Sequence, residues 1–185
     1  MRRLFQIGGV MVGALVLILL GLGGHATSAQ YSNASLTGTY VYNTSGIAQL
    51  LVPGQSSSAP GYSVSIGTLT NDGAGHFTGT QTISATPLGA TPASGANAKP
   101  GAMMSVCQSQ LSGTSTVNPD GTGTYTVKIT PVTKAPGCGG GTGTGAIVIE
   151  SADRCQATGT SFSPDDASAG SFLSSITFGE FRKQH

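Results

Sequence analysis

The stretch Gly67-Thr68-Leu69-Thr70-Asn71-Asp72-Gly73-Ala74-Gly75-His76-Phe77-Thr78-Gly79-Thr80 decides the fold. It reads as strand, turn, strand. Residue character alternates on both sides of Asp72-Gly73, and glycine takes the positive φ that a tight hairpin turn demands. A second version of the pattern follows: Gly113-Thr114-Ser115-Thr116-Val117-Asn118-Pro119-Asp120-Gly121-Thr122-Gly123-Thr124-Tyr125-Thr126. Two hairpins of one type predict an up-and-down antiparallel sheet.

Other runs along the chain alternate with the same period of two, the mark of a half-buried strand. Leu36, Gly38, Tyr40 and Tyr42 share one face of the first run, and Tyr62, Val64 and Ile66 share one face of the second. Phe77, Gly79 and Ile83 do so in the third, and Tyr125, Val127 and Ile129 in a later one. Ala146-Ile147-Val148-Ile149 is a short continuous apolar strand, and Ile176 and Phe178 lead the last run, which ends Gly179-Glu180-Phe181-Arg182. No stretch after residue 30 carries a helical period. Six to eight such strands are expected to close into a barrel, because closure removes unpaired edges. The expectation is all-β: a single antiparallel, up-and-down β-barrel after an N-terminal signal peptide.

That leader is residues 1–29. Arg2-Arg3 is followed by an almost wholly apolar run from Leu4 to Leu22, then by the small-residue site Ala26-Thr27-Ser28-Ala29. This order of charge, apolar stretch and small residues is that of a secretory signal peptide. Cleavage is expected after Ala29, with Ala26 as the alternative site. About 20 apolar residues can also span a bilayer. An uncleaved leader is therefore the one route to a membrane that the sequence suggests. Residues 30–185 are expected to form one barrel domain. Within it, Pro53–Gly61, the Pro/Ala/Gly-rich 85–102 and Pro131–Gly145 read as flexible connections.

Composition narrows function by exclusion. Charged residues are 8% of the 185, and 8 Lys+Arg face 7 Asp+Glu for a net charge of +1. Such a chain lacks the basic footprint that holds phosphates, so no nucleic-acid partner is expected. Ser, Thr and Gly supply the missing polarity, which favours strands and turns.

Catalytic groups are scarce. Beyond the leader the histidines are His76, in a hairpin turn, and His185, the last residue. A multi-histidine zinc site is out of reach, and a Ser-His-Asp arrangement would have to use one of these two. Asp72 and Asp120 sit where turn residues bond their own backbone. Asp165-Asp166 alone offers too few oxygens for calcium. Glu150 ends the apolar strand and is the better candidate for a carboxylate pointing into a barrel, where burial would raise its pKa for general acid work. Gly139-Gly140-Gly141-Thr142-Gly143 lacks the Lys of a phosphate loop and reads as a linker. No cofactor and no metal site is expected.

Three cysteines follow the leader: Cys107, Cys138 and Cys155. If the hairpin turns at Asp120, residue 107 lies opposite residue 133 and Cys138 is a few loop residues away. A Cys107–Cys138 disulfide is expected, with Cys107–Cys155 as the alternative. The spacing fits no CxxC motif.

Taken in order, Leu-Thr-Asn-Asp-Gly-Ala-Gly-His-Phe-Thr-Gly (69–79), Ser-Gly-Thr-Ser-Thr-Val-Asn-Pro-Asp-Gly-Thr-Gly-Thr-Tyr-Thr-Val (112–127), Ile147-Val148-Ile149 and Gly-Glu-Phe-Arg-Lys-Gln (179–184) are familiar. Over residues 36–184 the chain resembles a group of small exported bacterial proteins that is similar in fold to the allene oxide cyclase barrel. The resemblance implies a closed eight-stranded antiparallel barrel with an apolar cavity. It implies no cyclase activity, and no catalytic residue of the plant enzyme has a counterpart to carry over.

Three functions are compatible with these readings. The first is an exported, non-enzymatic barrel that binds a small apolar ligand, with Tyr40, Tyr62, Phe77 and Tyr125 lining the interior and Glu150 facing it. The second is a structural or adhesive cell-surface or matrix protein. The third is a cyclase- or isomerase-type enzyme relying on Glu150.

Overall fold

The computed structural model describes residues 30–51, 58–87, 106–135, 138–165 and 172–185. After a short 3₁₀ turn at Asn33–Leu36 the chain forms eight strands. These are β1 (Gly38–Leu51), β2 (Ser58–Asn71), β3 (His76–Pro87), β4 (Cys107–Val117), β5 (Thr122–Pro131), β6 (Gly141–Ser151), β7 (Arg154–Pro164) and β8 (Phe172–Lys183). Each pairs antiparallel with its sequence neighbour, and β8 returns to pair with β1, closing the barrel. The all-β, up-and-down expectation holds, with eight strands.

Both hairpins lie where the sequence puts them. At the β2–β3 turn the Asp72 amide donates to the His76 carbonyl at 3.0 Å, and Gly73 has φ 79°. Asp72 Oδ1 accepts from the amides of Ala74 (2.7 Å) and His76 (3.0 Å). At the β4–β5 turn Gly121 has φ 87°, and Asp120 Oδ1 accepts from the Thr122 amide at 2.9 Å. These bonds hold both aspartates below the ordinary carboxylate range. For Asp72 the largest cause is the His76 amide; for Asp120 it is the Thr122 hydroxyl. With the β6–β7 turn they form one rim, and all four longer connections lie at the other.

The connections are shorter than the composition suggests. Ser58–Gly61 belongs to β2, Ala85–Pro87 to β3, and Gly141–Gly145 to β6 rather than to a linker. Glycine there serves packing, not flexibility. Residues 53–57, 88–102 and 136–137 of the expected flexible regions, the leader 1–29 and Asp166 lie outside the described residues.

Glycines facing inward are seats for large side chains. A Cβ on Gly67 would lie 2.8 Å from the Tyr42 ring, on Gly113 2.4 Å from Phe77, and on Gly145 2.5 Å from Tyr125. On Gly141 it would lie 2.3 Å from Phe162. A small barrel fills its interior by setting large residues against small ones. A bulge in β7 sets this up for Phe162: Thr144 pairs with Ser161 but Gly145 with Gly159, so Thr160 is the extra residue. The slip turns Phe162 over Gly141.

The same rule overturns one reading. Tyr62, Val64 and Ile66 are expected on the inner face of β2, yet they are 46%, 45% and 65% exposed, and Ser63 and Ser65 face inward. Likewise Ile176 and Phe178 of β8 point out while Ser175 and Thr177 line the interior. Tyr42 and Leu50 of β1 already fill the interior beside β2 and β8, so Ser63 and Ser65 of β2 and Ser175 and Thr177 of β8 are the small residues set against them.

Candidate functional site

The barrel encloses a cavity of about 190 Å³. Its polar lining follows the register. Tyr42, Gly67, Gln81 and Ser109 form one row across β1 to β4. Gly67 leaves the gap through which the Tyr42 hydroxyl donates to Gln81 Oε1 at 3.4 Å. One level further from the tight turns, Thr44 and Ser65 share a 2.6 Å hydrogen bond between their hydroxyls. Gln81, Ser63, Ser65 and Ser109 are all buried.

Nearer the tight turns the Asn71 side-chain amide donates to the Ser115 hydroxyl at 3.5 Å, and Ser175 and Thr177 add hydroxyls from β8; most of the remaining wall is apolar. Leu69, Phe77, Ile83 and Leu111 line it from β2 to β4, and Val127, Ile129, Ile147, Phe162 and Phe181 from β5 to β8. Tyr42 stacks on Phe181 with centroids 4.9 Å apart. Among the described residues no charged side chain lines the cavity.

The rim of tight turns is plugged. Leu36 of the 3₁₀ turn packs with Ile147, Ile149 and Cys155, and Tyr31, Val117 and Tyr125 close around them. Asn33 fastens the plug by accepting from the Val117 amide at 2.9 Å. The opposite rim carries the Cys107–Cys138 disulfide, the pairing expected from the hairpin register. Ser109 does pair with Pro131, which sets residue 107 level with residue 133. Cys155 is a buried free thiol at the plugged end.

The titratable groups inside stay neutral. Burial pushes the Tyr40 hydroxyl up to about 12, with smaller contributions from Cys155 and Asp153. Burial also raises Tyr42 and Tyr125. The Cys155 thiol is pushed up to about 12, by burial first and by the Glu150 charge second. A protonated thiol is a poor nucleophile and a protonated phenol is a hydrogen-bond donor.

Of the expected site residues, Tyr40, Phe77 and Tyr125 line the cavity together. Tyr62 does not: it is on the outer wall, for the packing reason above. Glu150 does not either. It is exposed on the outward phase of β6, its Oε2 paired with Arg154 Nε at 2.8 Å and its Oε1 accepting from Gln156 Nε2 at 2.6 Å. Ile147 and Ile149 take the inward positions of that strand, which leaves residue 150 outside. An inward general acid at Glu150 is therefore not what the barrel builds.

Sequence reasoning passed over Gln81, Ser63, Ser65, Ser109 and Leu111 as site residues. The signal for Gln81 was present, since it is in phase with Phe77, Gly79 and Ile83. His76 lies exposed at the turn rim, and His185 Nε2 is 3.7 Å from Asp153 Oδ2 outside the barrel. Among the described residues no group of three His, Cys, Asp or Glu side chains could hold a metal. Likewise no helix there is long and apolar enough to cross a membrane. Comparison with protein-family models, curated proteins and solved structures finds no match for this chain.

Proposed function

We propose that the protein is an exported binding barrel whose cavity holds a small, uncharged, mainly apolar molecule with one polar end. The observation that carries this is the lining. A mainly apolar wall surrounds a polar row of Tyr42, Gln81 and Ser109 and a few further hydroxyls and amides, and among the described residues no charged side chain lines it. Small-ligand sites have this make-up: apolar walls for affinity and a few placed polar groups for orientation. An ionised ligand would be buried without a counter-charge, which costs several kcal/mol. Size sets a limit too. An apolar cavity of about 150 Å³ accepts benzene, so about 190 Å³ suits a compact ring compound. The Cys107–Cys138 disulfide supports export, because such bonds persist in oxidising compartments.

The test is native mass spectrometry of the protein recovered by export, followed by thermal melting with indole as a neutral probe. The expected results are a small-molecule adduct and a melting temperature that rises with indole. Leu111→Trp and Ser109→Ile, which fill the cavity from β4, should each abolish the indole response. No adduct, together with an indole response that is absent or unchanged in both filled variants, sinks the proposal.

A further inference from the structure

The outer wall of the barrel is two-sided in character. On β8, β1 and β2 the register sets Ile176, Ile47 and Tyr62 in one row, with Phe178 and Val64 flanking Ser45 in the next. Ile66 extends the patch one step further along β2. These six side chains are 45% to 65% exposed. The outer wall of β3 to β5 presents mainly hydroxyls and amides instead, Thr78, Thr80, Gln110, Thr114 and Thr126, together with Lys128 paired to Asp165. A barrel embedded in lipid carries its apolar band all the way round. Among the described residues this one concentrates its exposed large apolar side chains on β8, β1 and β2, with Val106, Val132 and Val148 scattered singly elsewhere.

We propose that the outer face of β8, β1 and β2 is the contact between two copies of this chain. Area is the first argument. At roughly 100 Å² per half-exposed side chain the six present about 600 Å², the upper end for a monomer's largest apolar patch. A stable interface buries about 800 Å² per partner. Asn43 and Thr82 beside Ile66, and Ser84 beside Val64, would form a polar rim that brings the patch toward that size.

Charge is the second argument. β1 and β2 carry no ionisable side chain but tyrosine, so two copies meet no repulsion. On β8 the nearest charge, Glu180, is already paired with Arg182 Nε at 2.6 Å and Arg154 Nε at 3.0 Å. Those partners hold its carboxylate below the usual range, Arg182 first. A partner with charged groups would find nothing here to pair them, whereas a second uncharged patch leaves nothing unpaired. A two-fold contact requires this kind of self-complementary face. Two such sheets stack about 10 Å apart with strands within about 30° of each other.

Sedimentation velocity on the protein recovered by export, from about 1 to about 100 μM, tests the contact. The expected result is a monomer that becomes a dimer across that range. The double variant Ile47→Lys/Phe178→Glu should weaken dimerisation by about thirtyfold or more, as loss of a central anchor does. Both side chains are exposed, so its circular dichroism should match the parent. A control pair on the hydroxyl side, Thr80→Lys/Thr114→Lys, should dimerise like the parent. A parent that stays monomeric throughout overturns the proposal, and so does a double variant that dimerises as well as the parent. A monomeric parent that co-sediments with phosphatidylcholine vesicles also overturns it, and assigns the patch to a lipid surface.

Discussion

Tyr42 of β1 and Phe181 of β8 are direct strand partners, and their rings stack at 21° with centroids 4.9 Å apart. The contact joins the first strand to the last, so it sits on the seam that makes a sheet into a barrel. Phe181→Ala should cost about 3 kcal/mol, the low end for a phenylalanine truncation because the ring is only partly buried. Urea unfolding followed by circular dichroism measures it. A loss below about 1 kcal/mol would mean that the backbone ladder alone closes the seam.

The disulfide spans a sequence separation of 31. Closing a loop of that length restricts the unfolded chain by about 3–4 kcal/mol in the chain-entropy account. Cys107→Ser/Cys138→Ser should therefore lower unfolding free energy by roughly 3 kcal/mol. Reducing agent should produce the same drop in the parent and none in the double variant. An equal drop in both proteins would mean that the reductant acts other than through this disulfide.

Cys155 and Tyr40 make stability fall in alkali. Both pKa values are raised on folding, from 9.0 and 10.0 to about 12. The folded state thus favours the protonated forms. Their contribution is complete below about pH 9 and is lost as pH rises toward 12. Denaturant midpoints measured from neutral pH to pH 11 should drop steeply above pH 9. Cys155→Ser and Tyr40→Phe should each flatten that drop. Cys155 should also react with a thiol reagent only after unfolding.

The inward glycines predict a fourth kind of sensitivity. A methyl on Gly113 meets the Phe77 ring at 2.4 Å and the Thr126 carbonyl oxygen at 2.2 Å. The second contact is backbone and cannot rotate away. Gly113→Ala should cost about 1–3 kcal/mol, as overpacking does. Gly113→Ala/Phe77→Leu, which makes room on the ring side, should recover part of it. No recovery would place the strain wholly in the β4–β5 ladder.

The two Asp-Gly hairpins announced the barrel because turn chemistry is local: a carboxylate two residues from an amide, and a glycine at positive φ. Register then followed from the turn, which is why the partner of Cys107 was legible. Inside and outside were less so. Period two says that two faces differ, and on β1 the apolar face is the inner one. On β2 and β8 it is not, because whether Ser65 or Val64 goes inward depends on rings carried by other strands. Glu150 was misplaced by the same gap. Its phase within β6 was readable, but its pairing with Arg154 and Gln156 depends on where β7 begins. The cavity's polar row escaped notice because Tyr42, Gln81 and Ser109 are 28 or more positions apart in the chain and meet only through three separate ladders.

The two rims have opposite tolerances for rewiring the chain. At the turn rim the Gln184 amide donates to the Thr39 carbonyl at 2.8 Å, so the start of β1 and the end of β8 are already neighbours. A short linker joining them, with new termini opened between β3 and β4, keeps every ladder and turns the strand order into 4-5-6-7-8-1-2-3. The plug at Leu36 then becomes an internal element of the linker. Which strand begins the molecule is thus a matter of where it is cut, and the closed ring of hydrogen bonds is indifferent to it.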